Sequence, residues 1–200
     1  MCERILGISG SPRRGGNTRV LLEACLEAAR QSGAETRLVD LAELSIAPCL
    51  ACEPCQSTPE RLCVQQDGMQ EVYPAMLWAE AIVFATPTYM AGPSAQMKAV
   101  IDRTRPLWRL NNALQTKLAA FITVGSGQWG GQELALRAMM DFALNHGMII
   151  IGSATLGYGN WEVCGVADAP GAVRHDEAAL AAARGLGRRL AQVRVSFDSR

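Results

Sequence analysis

Arg4-Ile-Leu-Gly-Ile-Ser9, Gly10-Ser-Pro-Arg-Arg-Gly-Gly16 and Asn17-Thr-Arg-Val-Leu-Leu-Glu-Ala-Cys25 follow one another near the start of the chain. The first piece is a short apolar run ending in Ser9, and it reads as a strand. The third opens a helix from Thr18 to Gln31. Asn17 or Thr18 is its expected cap, Gly33 its stop, and Leu21, Leu22, Cys25, Ala28 and Ala29 its apolar face. Between them the loop turns on glycines. Ser9, Ser11, Asn17 and Thr18 supply polar side chains, and the helix start supplies unpaired N–H groups at a positive dipole end. That combination suits one phosphate group, and Arg13 or Arg14 can reach it. Two rival phosphate motifs fail on spacing. Gly10 and Gly15 match a Walker loop, but Gly16-Asn17 stands where Lys should follow, and G-x-G-x-x-G is absent from this turn.

Outward from this corner, strands and helices alternate. Strands are expected at Glu35–Asp40, Ala81–Ala85, Leu118–Val124 and Met148–Ile151, and helices at 69–79, 94–105, 132–145 and 176–193. The run Ala-Ile-Val-Phe-Ala at 81–85 has no polar alternation, as befits a strand covered on both faces. Gly185 and Gly187 are expected to weaken the closing helix. The pattern predicts one α/β domain, 1–200, built on a parallel five-stranded sheet that binds ligands at the carboxyl ends of its strands. The unusual residues lie in those loops. Pro87, Thr88, Tyr89, Met90 and Gly92 follow the third strand, and Gly125, Gly127, Trp129 and Gly130 follow the fourth. The first loop offers backbone N–H groups and Tyr89 to a flat, polar-edged ring, and the glycines of the second suit backbone approach to a ligand or a mobile loop closing over it, although Tyr89 also suits packing and Trp129 a subunit interface.

The loop after the second strand, about residues 41–68, carries Cys49, Cys52, Cys55 and Cys63. Three cysteines at every third residue can aim sulfurs at one centre, and C-x2-C-x2-C is a spacing used to hold a 4Fe-4S cluster, with Cys63 as a fourth ligand. Free thiols or a reversible disulfide fit the same spacing. Zinc normally takes two Cys pairs, or Cys and His pairs, and His146 and His175 are far away. His146, at a helix end, reads as structural, and Cys2, Cys25 and Cys164 as bystanders.

A formal net charge of +0 gives no electrostatic footprint for nucleic acid or an anionic membrane. The apolar runs fall short of a membrane span, and the first residues lack the core of a signal peptide. A cytoplasmic location is expected, where thiols stay reduced.

The chain resembles the flavodoxin-like NAD(P)H-dependent FMN reductases, and among them the iron–sulfur flavoproteins. The likeness rests on Gly10–Thr18, on Cys63-Val-Gln-Gln-Asp67-Gly-Met69 closing the cysteine loop, on Pro87-Thr-Tyr89 with Lys98 and Ile101-Asp-Arg103, and on Gly130-Gly-Gln-Glu133. It departs from them at Ala51, where Gly is frequent, and at Asp67-Gly68, where two aspartates are frequent. The resemblance implies a doubly wound sheet of order 2-1-3-4-5 and one FMN per chain. Ser9, Ser11, Pro12, Arg13, Asn17 and Thr18 would hold its phosphate. Pro87, Thr88, Tyr89, Met90 and Gly92 would border its ring, with Gly125, Gly127, Trp129 and Gly130 on the other edge. It further implies a homodimer or homotetramer. The expected function is FMN-dependent electron transfer, with NAD(P)H as a co-substrate, a 4Fe-4S cluster on the cysteine loop, and a small molecule or a ferredoxin-type carrier as donor or acceptor. No side chain is expected to act as nucleophile or general acid, because the flavin carries the chemistry. The alternatives are a clusterless FMN or quinone reductase, and a non-enzymatic thiol redox or metal sensor.

Overall fold

The computed structural model describes residues 2–57, 62–153 and 163–194. In it β1 (Arg4–Ser9) pairs in parallel with β2 (Glu35–Asp40) on one side and β3 (Ala81–Tyr89) on the other. A short β4 (Gly92–Pro93) folds back antiparallel on the end of β3, which also pairs in parallel with β5 (Leu118–Gly125). The far edge of β5 takes two short strands in succession. β6 (Ile149–Ile150) pairs at Leu118 and Ala119, and β7 (Val163–Val166) pairs from Ile122 to Gly125. The order β2-β1-β3-β5-β6 is the doubly wound 2-1-3-4-5 arrangement that the resemblance implies.

Side chains on β3 alternate between two cores. Val83 and Ala85 face α1 (Asn17–Gln31) and α7 (Glu177–Gln192), among Leu21, Leu22, Cys25 and Leu186. Ile82 and Phe84 face the other layer, formed by α3 (Met69–Trp78), α4 (Ala95–Asp102) and α6 (Gln132–Asn145), among Met69, Tyr73, Met97, Leu136 and Met139. A sheet buried on both faces needs no alternation of polar residues, which is why 81–85 reads as it does.

Four expectations change. The third strand runs on through Pro87 to Tyr89, because Thr86 and Pro87 stay in register with Thr123 and Val124. The helix expected over 94–105 ends at Asp102, and a separate α5 (Arg105–Arg109) follows, with Pro106 at its start. The cysteine loop contains a turn of helix, α2 (Pro54–Ser57). Finally, Gly187 is a contact point rather than a weakness. A Cβ there would stand 2.0 Å from the Cys25 carbonyl oxygen on α1, so only glycine lets α1 and α7 pack this closely.

Candidate flavin and thiol site

The loops after β1, β3 and β5 emerge side by side. Ser9 is in register with Ala85, and Thr86 with Thr123. Hydrogen bonds then tie the three together. The Gly10 amide donates to the Ala85 carbonyl at 2.7 Å, and the Ser94 hydroxyl donates to the Gly10 carbonyl at 2.6 Å. The Ser94 amide donates to the Thr86 hydroxyl at 2.9 Å, and the hydroxyls of Thr88 and Thr123 meet at 2.8 Å.

The first loop has the chemistry of an anion site. The residue before α1 is Gly16, not the expected Asn17 or Thr18, so no side chain caps the helix, and its first turn holds no acid. Its amides therefore end unpaired at the positive pole of a helix 15 residues long. Ser9 is fully buried at the end of β1, and its hydroxyl has no hydrogen-bond partner. A buried hydroxyl without a partner costs about 1–3 kcal/mol, which a phosphate oxygen would recover. Ser11 shapes the turn, its hydroxyl accepting from the Arg13 amide at 3.1 Å. A Cβ on Gly16 would come within 2.7 Å of that hydroxyl. These residues fit the phosphate of FMN.

The other expected contacts are placed more variously. The Asn17 side chain is committed elsewhere, donating to the Ala169 carbonyl at 2.8 Å and accepting from the Val173 amide at 3.4 Å. Its backbone amide remains at the helix start. Thr18 is buried in the first turn, while Pro12 and Arg13 are exposed. Pro87 is buried in β3, and Tyr89 is half exposed at its end. Met90 and Ala91 form the tight turn into Gly92, with φ of 48° and 58°. After β5, Gly127 and Gly130 are held by a side chain from the first turn of α6. Gln132, buried at the start of α6, donates to the Gly127 carbonyl and accepts from the Gly130 amide, both at 2.7 Å. Gly131, at φ 88°, lies against Ala91, so a Cβ there would strike the β4 turn at 2.8 Å. Trp129 projects outward, 89% exposed, and Met90 fully so.

All four loop cysteines are free thiols. Cys49 and Cys52 are exposed, and Cys63 is partly buried against the second core. The convergence of sulfurs expected from the spacing does not occur. Among the described residues, no three Cys, His, Asp or Glu side chains stand together as a metal site. Each sulfur instead has its own surroundings. Cys49 accepts weakly from the Ala51 amide at 3.5 Å, Cys55 from Gln56 at 3.7 Å, and Cys63 from the Arg103 guanidinium at 3.4 Å. Ala51 and Glu53, at φ 51° and 71°, bend the chain between successive cysteines. As a donor set, four cysteines in one loop, none in a disulfide, suit an iron–sulfur cluster.

Arginines attach this loop to the fold, among them Arg109, whose guanidinium donates to the Gln56 side chain at 2.8 Å. Arg105 pairs with Glu53 at 2.9 Å on the surface. Arg103, 1% exposed, pairs with Asp67 and donates to the Ala47 carbonyl at 3.1 Å. Partial burial alone would raise the Asp67 carboxyl, but hydrogen bonds from Arg103 and from the Ala47 and Met69 amides outweigh it and hold the group below its ordinary range. Cys25, remote in the core, is pushed up to about 12 by burial and stays a thiol.

Residues 3–162 match the family model of NADPH-dependent FMN reductases. The chain is 38% identical to an iron–sulfur flavoprotein of Methanocaldococcus jannaschii over 192 residues, 95% of this chain and 96% of the relative. It is 42% identical to an iron–sulfur flavoprotein of Methanosarcina thermophila over 149 residues, 74% and 77% of the two chains. In fold it is similar to an NAD(P)H:quinone oxidoreductase from Methanothermobacter marburgensis, with a TM-score of 0.71, 19% identity, and 95% and 100% of the chains covered. The chain belongs to the NADPH-dependent FMN reductase family, in the branch of the iron–sulfur flavoproteins.

Proposed function

We propose that this FMN-dependent oxidoreductase passes electrons between FMN in the β1–α1 corner and a 4Fe-4S cluster on the cysteine loop. The observation that carries the reading is the partnerless buried Ser9 hydroxyl at the end of β1, together with the uncapped start of α1 that follows it in the chain. Both are groups that an anionic oxygen satisfies. Bound FMN supplies hydride and single-electron transfer, and a cluster supplies single-electron transfer alone.

The chain's own residues bind and orient. Ser9, Ser11, Pro12, Arg13, Thr18 and the Asn17 amide would hold the phosphate. Pro87, Thr88, Tyr89, Met90 and Gly92 would contact the ring from one loop, and Gly125, Gly127, Trp129 and Gly130 from the other. Gln132 holds that second loop in shape. Cys49, Cys52, Cys55 and Cys63 would hold the cluster, which would draw their sulfurs together. NAD(P)H is the co-substrate, and a small molecule or a ferredoxin-type carrier completes the exchange. Exposed Met90, Trp129 and Leu134 support burial in a homodimer or homotetramer. Among the described residues no helix is long and apolar enough to cross a membrane, and work in the cytoplasm, where thiols stay reduced, is part of the proposal.

Anaerobic reconstitution tests the reading. A brown protein with iron, sulfide and one FMN per chain that is reduced by NAD(P)H supports it. A yellow, iron-free protein that oxidises NAD(P)H means a clusterless FMN or quinone reductase. A colourless protein that binds zinc through its thiols means a sensor.

A further inference from the structure

We propose that α4 is a strut that fixes the cysteine loop against the flavin loops, and that Arg103 is the positioning residue at its far end. Its near end is Ser94, the N-cap, whose hydroxyl accepts from the Met97 amide at 3.2 Å. Ser94 is also the residue bonded to Gly10 of the phosphate loop and to Thr86 of β3. Eight helical residues, a rise of about 12 Å, separate it from Arg103.

At that far end one guanidinium gathers both ends of the cysteine loop. It donates to the Ala47 carbonyl, two residues before Cys49. It also donates to the Cys63 sulfur and the Gln65 carbonyl, both at 3.4 Å, and to the Asp67 carboxylate. The neck is closed beneath it. The Ala47 amide donates to Asp67 at 3.0 Å, and the Gly68 amide to the Ser45 carbonyl at 2.9 Å. The Arg103 carbonyl is itself fixed by the Tyr73 hydroxyl at 2.7 Å, so the guanidinium has a rigid base. Only a planar fork with several N–H groups can serve these acceptors at once, and an ammonium cannot. Cys63 is thus placed by a group whose position is set from the flavin side. The anchoring stands on the contacts alone, while its consequence for a cluster rests on the proposed function.

The test uses the full FMN-loaded chain, with Arg103→Lys, Arg103→Met and Asp67→Asn beside wild type. FMN per chain is measured first. The rate of Cys63 alkylation by iodoacetamide is then followed by peptide mass spectrometry in iron-free protein. Iron, sulfide and the EPR signal are measured after anaerobic reconstitution. Both Arg103 variants are expected to keep FMN while Cys63 reacts about tenfold faster, as a locally opened loop allows. Retained iron should fall by roughly 10-fold or more, the usual cost of losing a group that orients a metal ligand. Asp67→Asn should fall between them and wild type. Unchanged Cys63 alkylation in the Arg103 variants overturns the proposal, and so does iron retained at the wild-type level. If Arg103→Met fails to fold, Arg103→Lys, which keeps charge and bulk, decides. A wild type that takes up no iron sinks the cluster reading, and the alkylation rates still judge Arg103.

Discussion

Replacing Ser9 with Ala should move the free and FMN-bound proteins in opposite directions. Without FMN the wild type carries a fully buried hydroxyl with no partner, and this costs about 1–3 kcal/mol. The variant deletes that hydroxyl and leaves a gap of one oxygen. After the lost packing, a net gain of about 1 kcal/mol remains, or 2–4 °C in melting temperature for a chain of this size. With FMN the wild type gains a hydrogen bond to a charged oxygen, worth about 1.5–3 kcal/mol, so the variant should bind FMN about 10- to 150-fold more weakly. At a flavin concentration of 100 times the wild-type Kd, wild type gains about 2.7 kcal/mol from binding, and the variant about 0.3–1.4. The melting curves should therefore cross: Ser9→Ala melts above wild type without FMN and below it with FMN. Differential scanning fluorimetry with and without FMN, beside a flavin-fluorescence titration, reads both signs. An unchanged Kd, or a destabilised free variant, refutes the assignment of Ser9 to the phosphate.

Gly187→Ala should destabilise despite its better helix propensity, because the new Cβ meets backbone of Cys25 on α1; a loss of about 1–3 kcal/mol is expected in urea unfolding. Gln132→Ala should speed hydrogen exchange at the Gly130 amide, which loses its acceptor, and weaken FMN binding several-fold, or by about 1 kcal/mol. Burial lowers the proton affinity of His146, which meets the Thr104 hydroxyl at 3.0 Å beside a cleft of about 400 Å³. The unfolded chain then binds this proton more readily than the folded one, so the stabilisation is full above about pH 6.5 and is lost as pH falls from there through the folded-state pKa. His146→Gln should flatten the fall in stability between pH 7.5 and 5.5, and an equally steep fall would discount His146 as its source.

What the sequence revealed was local. The apolar run at 81–85, the glycine turn at 10–16 and the helix from residue 17 each encode their structure within a few residues, and the five parallel positions follow from their alternation. Lys98 and Asp102, four apart on α4, pair at 2.6 Å on the surface by an equally local rule. Contacts across long separations were not legible. Gly187 looks like a flaw in a helix until the Cys25 carbonyl is found opposite it. Ser94 acts on the Gly10 carbonyl, 84 residues away, and even the short-range Gln132 acts on backbone atoms of its own loop; backbone partners leave no mark on side-chain periodicity. Val163–Val166 was missed because it is short and contains Gly165. The cap lies one or two residues before the expected Asn17 or Thr18, because Asn17, a good capping type, bonds instead to the segment at 169–173, more than 150 residues away. Arg103 entered only through the resemblance, since nothing near it in sequence announces that it would reach Ala47 and Cys63.

The amides opening α1, with Ser9, are proposed to hold the phosphate of a flavin mononucleotide. Parallel titrations of the apoprotein with FMN and with riboflavin, followed by flavin-fluorescence quenching, test it most directly. FMN should bind one per chain with a Kd in the micromolar range or below, and riboflavin, which lacks the phosphate, at least about 100-fold more weakly. Equal affinity for the two, or no binding of FMN, would contradict it.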